Sequence, residues 1–164
     1  MNDQDKTVRI YAGIHGFGNP SWSGAAIYQS DDDGQSYYQI GNTTSPAKVG
    51  LVSAIVPYKE TGVWDMTTEI EVTMTSGELL SKSELAVLNG ENWCMIGQEM
   101  IGFQSAILIS DKTYRLSKLL RGRQGTEVYA SMHAANELFC SLDNLVRLEF
   151  ADADRGKVKK FKVV

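Results

Sequence analysis

The chain has 164 residues, of which 43% are hydrophobic and 22% are charged, as is ordinary for a globular protein. A chain of this length can bury about 70% of the surface that it exposes when unfolded. The formal net charge of −4 argues against nucleic-acid binding, because it provides no basic field for a phosphate backbone. No apolar run approaches the roughly 18 residues of a membrane span. The polar start at 1–6 is unlike a secretory leader, so we expect synthesis in the cytoplasm and no membrane insertion.

Short runs of β-branched and aromatic residues follow one another along the chain and predict strands. In chain order these runs are 7–14, 25–28, 37–40, 49–56, 67–74, 93–96, 99–103, 106–109, 114–120, 138–142, 145–150 and 158–164. The clearest alternation lies in 67–74, where Glu69, Glu71 and Thr73 separate the residues expected on the buried face.

Helix signals are few. Ser83 and Gly90 can cap and end one short helix, and Thr126 can cap another that extends to Ala135. The sequence therefore predicts a mainly β protein, a single domain of antiparallel sheets in a sandwich or barrel-like meander, with one or two short helices. We expect residues 1–150 to form this domain. Residues 151–164 are expected to form a linker and a terminal strand, which either closes the sheet or leads into a further domain.

The sequence gives little support for metal or cofactor chemistry. Cys94 and Cys140 lie far apart among apolar neighbours, as buried and reduced cysteines do. His15 and His133 have no cysteine or histidine at zinc-like spacing. We therefore expect neither a metal centre nor a bound cofactor.

The acidic hairpin, residues 30–37, lies between two predicted strands and has the composition of a tight turn. It fits the pattern Ser-x-Asp-x-Gly-x-x-aromatic at four positions, which are Ser30, Asp32, Gly34 and Tyr37. In such turns short polar side chains bond to the backbone, and glycine supplies a positive φ. The pattern resembles the Asp-box of sialidases, which lies away from their catalytic site and so implies a structural turn without an activity. Two alternatives remain open, a calcium site at 31–33 and a carbohydrate-contacting loop with Trp22, Tyr37 and Tyr38 as stacking rings.

Three segments, taken in order, resemble one protein family: 22–28 running into the acidic hairpin, 92–106 and 114–127. They look like the C-terminal part of large phage tail-tip proteins related to the host-specificity or baseplate-hub component of gene transfer agents. The resemblance spans about residues 8–148. It implies a structural component of a virion tail, built of β domains, whose partners are other tail or baseplate proteins and a host-surface glycan. The glycoside-hydrolase-like segment of such proteins lies outside this sequence.

Glu99 and Arg121 are the charged residues within the apolar parts of two of these segments. We expect them to meet as a partly buried ion pair, because a guanidinium can donate two hydrogen bonds to one carboxylate. Gly122 and Gly125 indicate that the loop after the arginine turns sharply, with Thr126 behind them. These five residues are predicted to form a structural loop and ion pair.

No catalytic constellation is evident, and we predict a protein without enzymatic activity. A glycosidase needs two facing carboxylates about 5–10 Å apart, and the sequence singles out no such pair. The alternative function, from a different class, is a carbohydrate-binding module whose exposed aromatic residues contact glycan: Trp22, Tyr38 and Trp64.

Overall fold

The computed structural model describes residues 8–17, 19 and 21–164. The strands and the α-helix are, in chain order, β1 (Val8–Ala12), β2 (Ala25–Ser30), β3 (Tyr38–Thr43), β4 (Val49–Val52), β5 (Trp64–Asp65), β6 (Ile70–Ser76), α1 (Glu84–Leu88), β7 (Trp93–Ile96), β8 (Glu99–Ser110), β9 (Thr113–Leu120), β10 (Glu137–Ser141), β11 (Val146–Phe150) and β12 (Lys160–Val163). Short 3-10 segments lie at Arg123–Gly125, Glu127–Ser131 and Asp152–Asp154. Every strand pairing among these elements is antiparallel. The predicted mainly β, antiparallel architecture with a short helix is confirmed.

Two compact units divide the chain. Unit 1 contains residues 1–46 and 145–164, so it is built from both ends of the chain, and unit 2 contains residues 47–144. The strands β1, β2, β3, β11 and β12 belong to unit 1, and the remaining seven belong to unit 2.

Unit 2 folds as a closed barrel. Its seven strands follow the order β5-β9-β6-β4-β10-β7-β8, and β8 also pairs with β9. Six of the seven strands therefore form a ring, and β5 lies outside it beside β9. Closure of an antiparallel sheet gives its strands a neighbour on both sides and so removes most free edges.

The core of unit 2 follows the alternation that the sequence predicts for β6. Ile70, Val72 and Met74 are buried, whereas Glu71 and Thr73 on the same strand are exposed, so the predicted pattern is confirmed. The remaining buried members of this core come from the other ring strands and from two loops: Val52, Val56, Leu79, Cys94, Ile96, Ile101, Phe103, Tyr114, Leu116, Leu119 and Phe139.

The first predicted helix is present, and the second differs from the prediction. The helix α1 begins after Ser83, whose side chain accepts a hydrogen bond from a backbone amide of the first turn. The segment expected to be helical from Thr126 forms only the five-residue 3-10 turn Glu127–Ser131. Thr126 makes no capping hydrogen bond, because its hydroxyl donates to the Arg123 carbonyl at 2.7 Å and accepts from the Met100 amide at 2.9 Å.

Unit 1 contains a ribbon of β1 and β11 and a three-stranded sheet in the order β12-β2-β3. The lysine-rich end of the chain forms the edge strand of that sheet, with Lys160 opposite Ser30 and Val163 opposite Ile27. Lysines on an edge strand discourage pairing with a further strand.

Candidate functional site

A buried ion cluster lies in unit 2, where β8 begins and β9 ends. Glu99 is the first residue of β8, and Arg121 directly follows β9. Both are fully buried, at 0% exposure, and so more deeply than the sequence predicts. Arg121 Nε donates to Glu99 Oε1 and Oε2 at 2.9 and 3.1 Å, and Nη2 donates to Oε2 at 2.7 Å. The expected contact between these two residues is therefore present, with the two-pronged geometry that suits a guanidinium and a carboxylate.

The loop that follows β9 adds hydrogen bonds to this pair. The Gly122 amide donates to Glu99 Oε1 at 2.7 Å, and Arg121 Nη1 donates to the Pro57 carbonyl at 2.9 Å. Gly122 has a φ of +58°, and a Cβ atom there would lie 2.9 Å from the Cα atom of Glu127. The position therefore needs glycine both for its backbone conformation and for space.

Gly125 and Thr126 have different roles in the loop. Gly125 has a φ of +84°, but a Cβ atom there would meet nothing within 4 Å. Its contribution is the turn conformation alone. Thr126 links the loop to β8 through its hydrogen bond with the Met100 amide.

Two further residues, His133 and Glu137, belong to the cluster, although the sequence did not predict them as members. His133 Nε2 lies 2.6 Å from Glu99 Oε2, and His133 Nδ1 lies 2.5 Å from Glu137 Oε2. The His133 side chain is only 2% exposed. Glu137 begins β10, which reaches the cluster because β10 pairs with β4 and β7. In the sequence, only the four-residue spacing of His133 and Glu137 hinted that these two residues lie together. Such a spacing is too common to identify a site.

The imidazole of His133 bridges two acidic residues, because one ring nitrogen faces Glu99 and the other faces Glu137. Arg121 lies against the same Glu99 carboxyl group, so this buried acid has a cation as a partner, which is the condition for burying a charge. The cluster uses its hydrogen-bonding groups within the protein, and this arrangement is suited to holding the barrel in shape.

The two cysteines lie on neighbouring strands of unit 2 as free thiols. Cys94 is buried in β7, and Cys140 is half-buried in β10. Burial raises the pKa of both thiols above the ordinary value. A protonated thiol is a weak nucleophile and a poor metal ligand, so both residues act as small apolar side chains.

The acidic hairpin of unit 1 satisfies its own backbone. The Gly34 amide donates to Ser30 Oγ at 2.7 Å, and the Ser36 amide donates to Asp32 Oδ1 at 2.9 Å. Hydrogen bonds from the Ser36 side chain and backbone hold the pKa of Asp32 well below its usual range. Gly34 has a φ of +95°, and a Cβ atom there would lie 3.3 Å from the Tyr37 hydroxyl oxygen. The four residues of the predicted pattern thus lie together in one turn.

The three aspartates of the acidic hairpin have separate partners. Asp32 holds the turn, whereas Asp33 forms an ion pair with Lys160 at 2.7 Å. Asp31 forms an ion pair with Lys159 at 2.8 Å, and this hydrogen bond is the main reason why the pKa of Asp31 is lowered to about 2. Within the described parts of the chain, no three or more His, Cys, Asp or Glu side chains are grouped so that they could hold a metal ion.

The three aromatic residues proposed to contact glycan differ in their exposure. Trp22 and Trp64 are half-buried, and Trp22 packs closely on Gly16. Tyr38, at the start of β3, is 49% exposed. Trp22 and Tyr38 belong to unit 1, whereas Trp64 belongs to unit 2. Of the three, Tyr38 offers the most accessible ring.

The fold and the buried ion cluster together define a closed antiparallel β-barrel domain of the mainly β class. Residues 47–140, nearly all of unit 2, match the family model described as Rcc01698-like, C-terminal. Because the match covers more than half of the chain, the chain belongs to this family. A comparison with curated proteins found no match. Among the helices that the structure describes, none is both long and apolar enough to cross a bilayer.

Proposed function

We propose that this protein is a non-enzymatic structural component of the tail tip or baseplate of a phage or phage-like particle, and that it acts through contacts with other tail proteins. Membership of the Rcc01698-like C-terminal family supports this function. The resemblance of 92–106 and 114–127 to phage tail-tip proteins supports it too, since both segments lie within the matched range. The protein is made in the bacterial cytoplasm and works in the virion tail.

The observation that carries the proposal is an apolar edge on β8, formed by residues 107–110. These residues pair with β9 on one side. On the other side, the described partners of β8 end at Ala106, whose amide donates to the Ser81 hydroxyl at 3.0 Å. Ile107 and Leu108 are 57% and 59% exposed. An uncharged strand edge with exposed apolar side chains is a template on which another chain can add a strand.

The buried ion cluster supports the same function from inside the barrel. Glu99 accepts hydrogen bonds from Arg121 and from the Gly122 amide, and it lies within hydrogen-bonding distance of His133. The cluster thereby ties the start of β8 to the loop after β9 and to the segment that leads into β10. A barrel held in this way presents the apolar edge in one conformation, which lowers the entropic cost of binding a partner.

The proposal is tested by a charge placed on the apolar edge. The gene is deleted in the source bacterium and complemented with either the wild-type sequence or Leu108→Lys, because a lysine on an edge strand opposes pairing. We expect the purified variant to unfold at the wild-type temperature and yet to be missing from gradient-purified particles.

A matched control comes from Leu138, which is 72% exposed on β10. Leu138→Lys introduces the same charge on another strand of the same barrel, and we expect this variant to be incorporated normally. Incorporation of L108K at the wild-type level would contradict the proposed role of the apolar edge.

A further inference from the structure

Arg123 is the one arginine of unit 2 that has no acidic partner among the residues that the structure describes. The other two are paired, Arg115 with Glu71 at 3.2 Å and Arg121 with Glu99 at 2.7 Å. The Arg123 guanidinium makes neither an ion pair nor a hydrogen bond within the described parts of the chain, and of its nitrogen atoms only Nε is buried. Nη1 and Nη2 are therefore open to solvent, with their N–H groups free to donate.

The guanidinium is held in place against Trp93. Its Cζ atom lies 5.8 Å from the centroid of the indole ring, which is within the range of a cation–π contact. Trp93 is fixed in turn, because its Nε1 atom donates to the Val87 carbonyl at 2.8 Å. Gly122 and Gln124, on either side of Arg123, both have left-handed backbone conformations and so define the path of the loop. Little freedom of the guanidinium remains to be lost when a partner binds it.

An apolar surface adjoins this stack at the helix α1. The indole of Trp93 is hydrogen-bonded to the last turn of α1 and packs on Gly102, where a Cβ atom would lie 3.3 Å from the ring. Leu85 and Leu88 of α1 are 68% and 49% exposed. They are three residues apart and so lie on one face of the helix. We call the surface formed by Arg123, Trp93, Leu85 and Leu88 the arginine patch.

We propose that the arginine patch binds a protein segment in which an aspartate or glutamate stands beside an apolar side chain. The carboxylate accepts hydrogen bonds from Nη1 and Nη2 of Arg123, and the apolar side chain covers Leu88 and the indole of Trp93. Charge selects this partner, because a neutral segment would take water from the guanidinium and give no acceptor in return. Tryptophan and arginine are also the residues that most often dominate the binding energy of protein interfaces.

The arginine patch is separate from the apolar edge. Trp93 pairs with Gly102 of β8, whereas the apolar edge begins at Ile107 on the same strand. Five residues of an extended strand span about 17 Å, so one short peptide segment does not need to touch both surfaces. The inference therefore goes beyond the proposed strand addition and does not depend on it.

The test uses the purified full chain, immobilised, and a phage-displayed library of random peptides. Peptides that bind immobilised Arg123→Gln are removed first, and the remainder is selected on the wild type. We expect the selected peptides to share an aspartate or glutamate beside an apolar residue. A selected peptide, resynthesised, should bind R123Q about tenfold or more weakly than it binds the wild type, because a hydrogen bond to a charged group is lost.

Arg115 provides a matched control. Arg115→Gln makes the same chemical change at another arginine of the barrel, one that already has a carboxylate partner. The selected peptides should bind R115Q as they bind the wild type. If R123Q has a lower urea midpoint than the wild type, Leu88→Ser replaces it in both steps, with weaker binding again expected because apolar contact area is lost.

Three results would overturn the inference. One is the recovery of no peptide above background, and another is a set of selected peptides without an acidic residue. The third is equal binding of the selected peptides to the wild type and to the patch variants. Because the experiment uses the isolated chain, its outcome is independent of whether the protein enters a particle.

Discussion

Replacement of Arg121 by methionine removes the guanidinium and keeps an unbranched apolar side chain in its place. The variant loses every hydrogen bond from this side chain to Glu99 and the one to the Pro57 carbonyl. Glu99 stays buried, with the Gly122 amide and His133 as its remaining partners. Removing one partner of a buried ion pair costs about 3–5 kcal/mol, because the other charge is left uncompensated. We expect R121M to lower the free energy of unfolding of unit 2 by this amount.

Urea unfolding followed by far-ultraviolet circular dichroism measures this loss. The double variant Glu99→Gln and Arg121→Met has no unpaired carboxylate at position 99, so we expect it to be more stable than R121M alone by about 1 kcal/mol or more. Two results would refute the view that this pair holds the barrel together. One is a loss of less than about 1 kcal/mol of unfolding free energy in R121M, and the other is a double variant whose loss equals the sum of the losses in E99Q and R121M.

Three other changes test separate parts of the structure. Gly122→Ala should lower the free energy of unfolding by about 1–3 kcal/mol, because φ is +58° and the new Cβ atom would lie 2.9 Å from Glu127 Cα. Gly125→Ala should lower it by less, because the space around Gly125 is open. Equal losses of unfolding free energy for the two variants in urea would contradict this difference. His133→Phe leaves Glu99 and Glu137 without their imidazole partner and should lower the free energy of unfolding by about 2–3 kcal/mol. An unchanged urea midpoint would show that His133 does not stabilise the cluster. Asp31, whose pKa is lowered to about 2, stabilises the folded state when it is ionised, so its contribution is present above the ordinary pKa of about 3.9 and is lost as the pH falls towards 2. Urea unfolding at several pH values measures this contribution. The difference in unfolding free energy between the wild type and Asp31→Asn should become smaller as the pH falls through that range. A difference that does not change with pH would show that the charge of Asp31 does not stabilise the folded state.

Local sequence patterns predicted the parts of the fold that depend on neighbouring residues. The buried and exposed faces of β6 follow directly from its alternation of apolar and polar residues. The contact between Glu99 and Arg121 could be inferred because each is a charged residue within an apolar segment, and such residues need a partner. Ser83 was predicted as a helix cap from its own chemistry, and it accepts a hydrogen bond in that position.

Features that depend on distant parts of the chain were not predictable in the same way. His133 and Glu137 join the ion cluster because β10 pairs with β4 and β7, and no local pattern encodes that register. The sequence predicted two separate short strands at 99–103 and 106–109, with Gln104 and Ser105 between them. Pairing with β9 continues on both sides of Gln104, with Phe103 opposite Leu119 and Ser105 opposite Ser117, so β8 is one strand.

The assembly of unit 1 from both ends of the chain could not be predicted for the same reason. The strand β12 pairs with β2, and β11 pairs with β1, over separations of more than 100 residues. Each strand could be recognised from its own residues, but its partner could not, because antiparallel pairing depends on contacts that form only in the folded chain.

The presence of this protein in purified particles tests the central claim most directly. Gradient-purified phage-like particles from the source bacterium are analysed by quantitative mass spectrometry, with a strain that lacks the gene as the control. A structural role in the tail predicts that the protein is found in a fixed ratio to the other tail proteins of the particle. Its absence from intact particles, while it is abundant in the cell lysate, would contradict the proposed function.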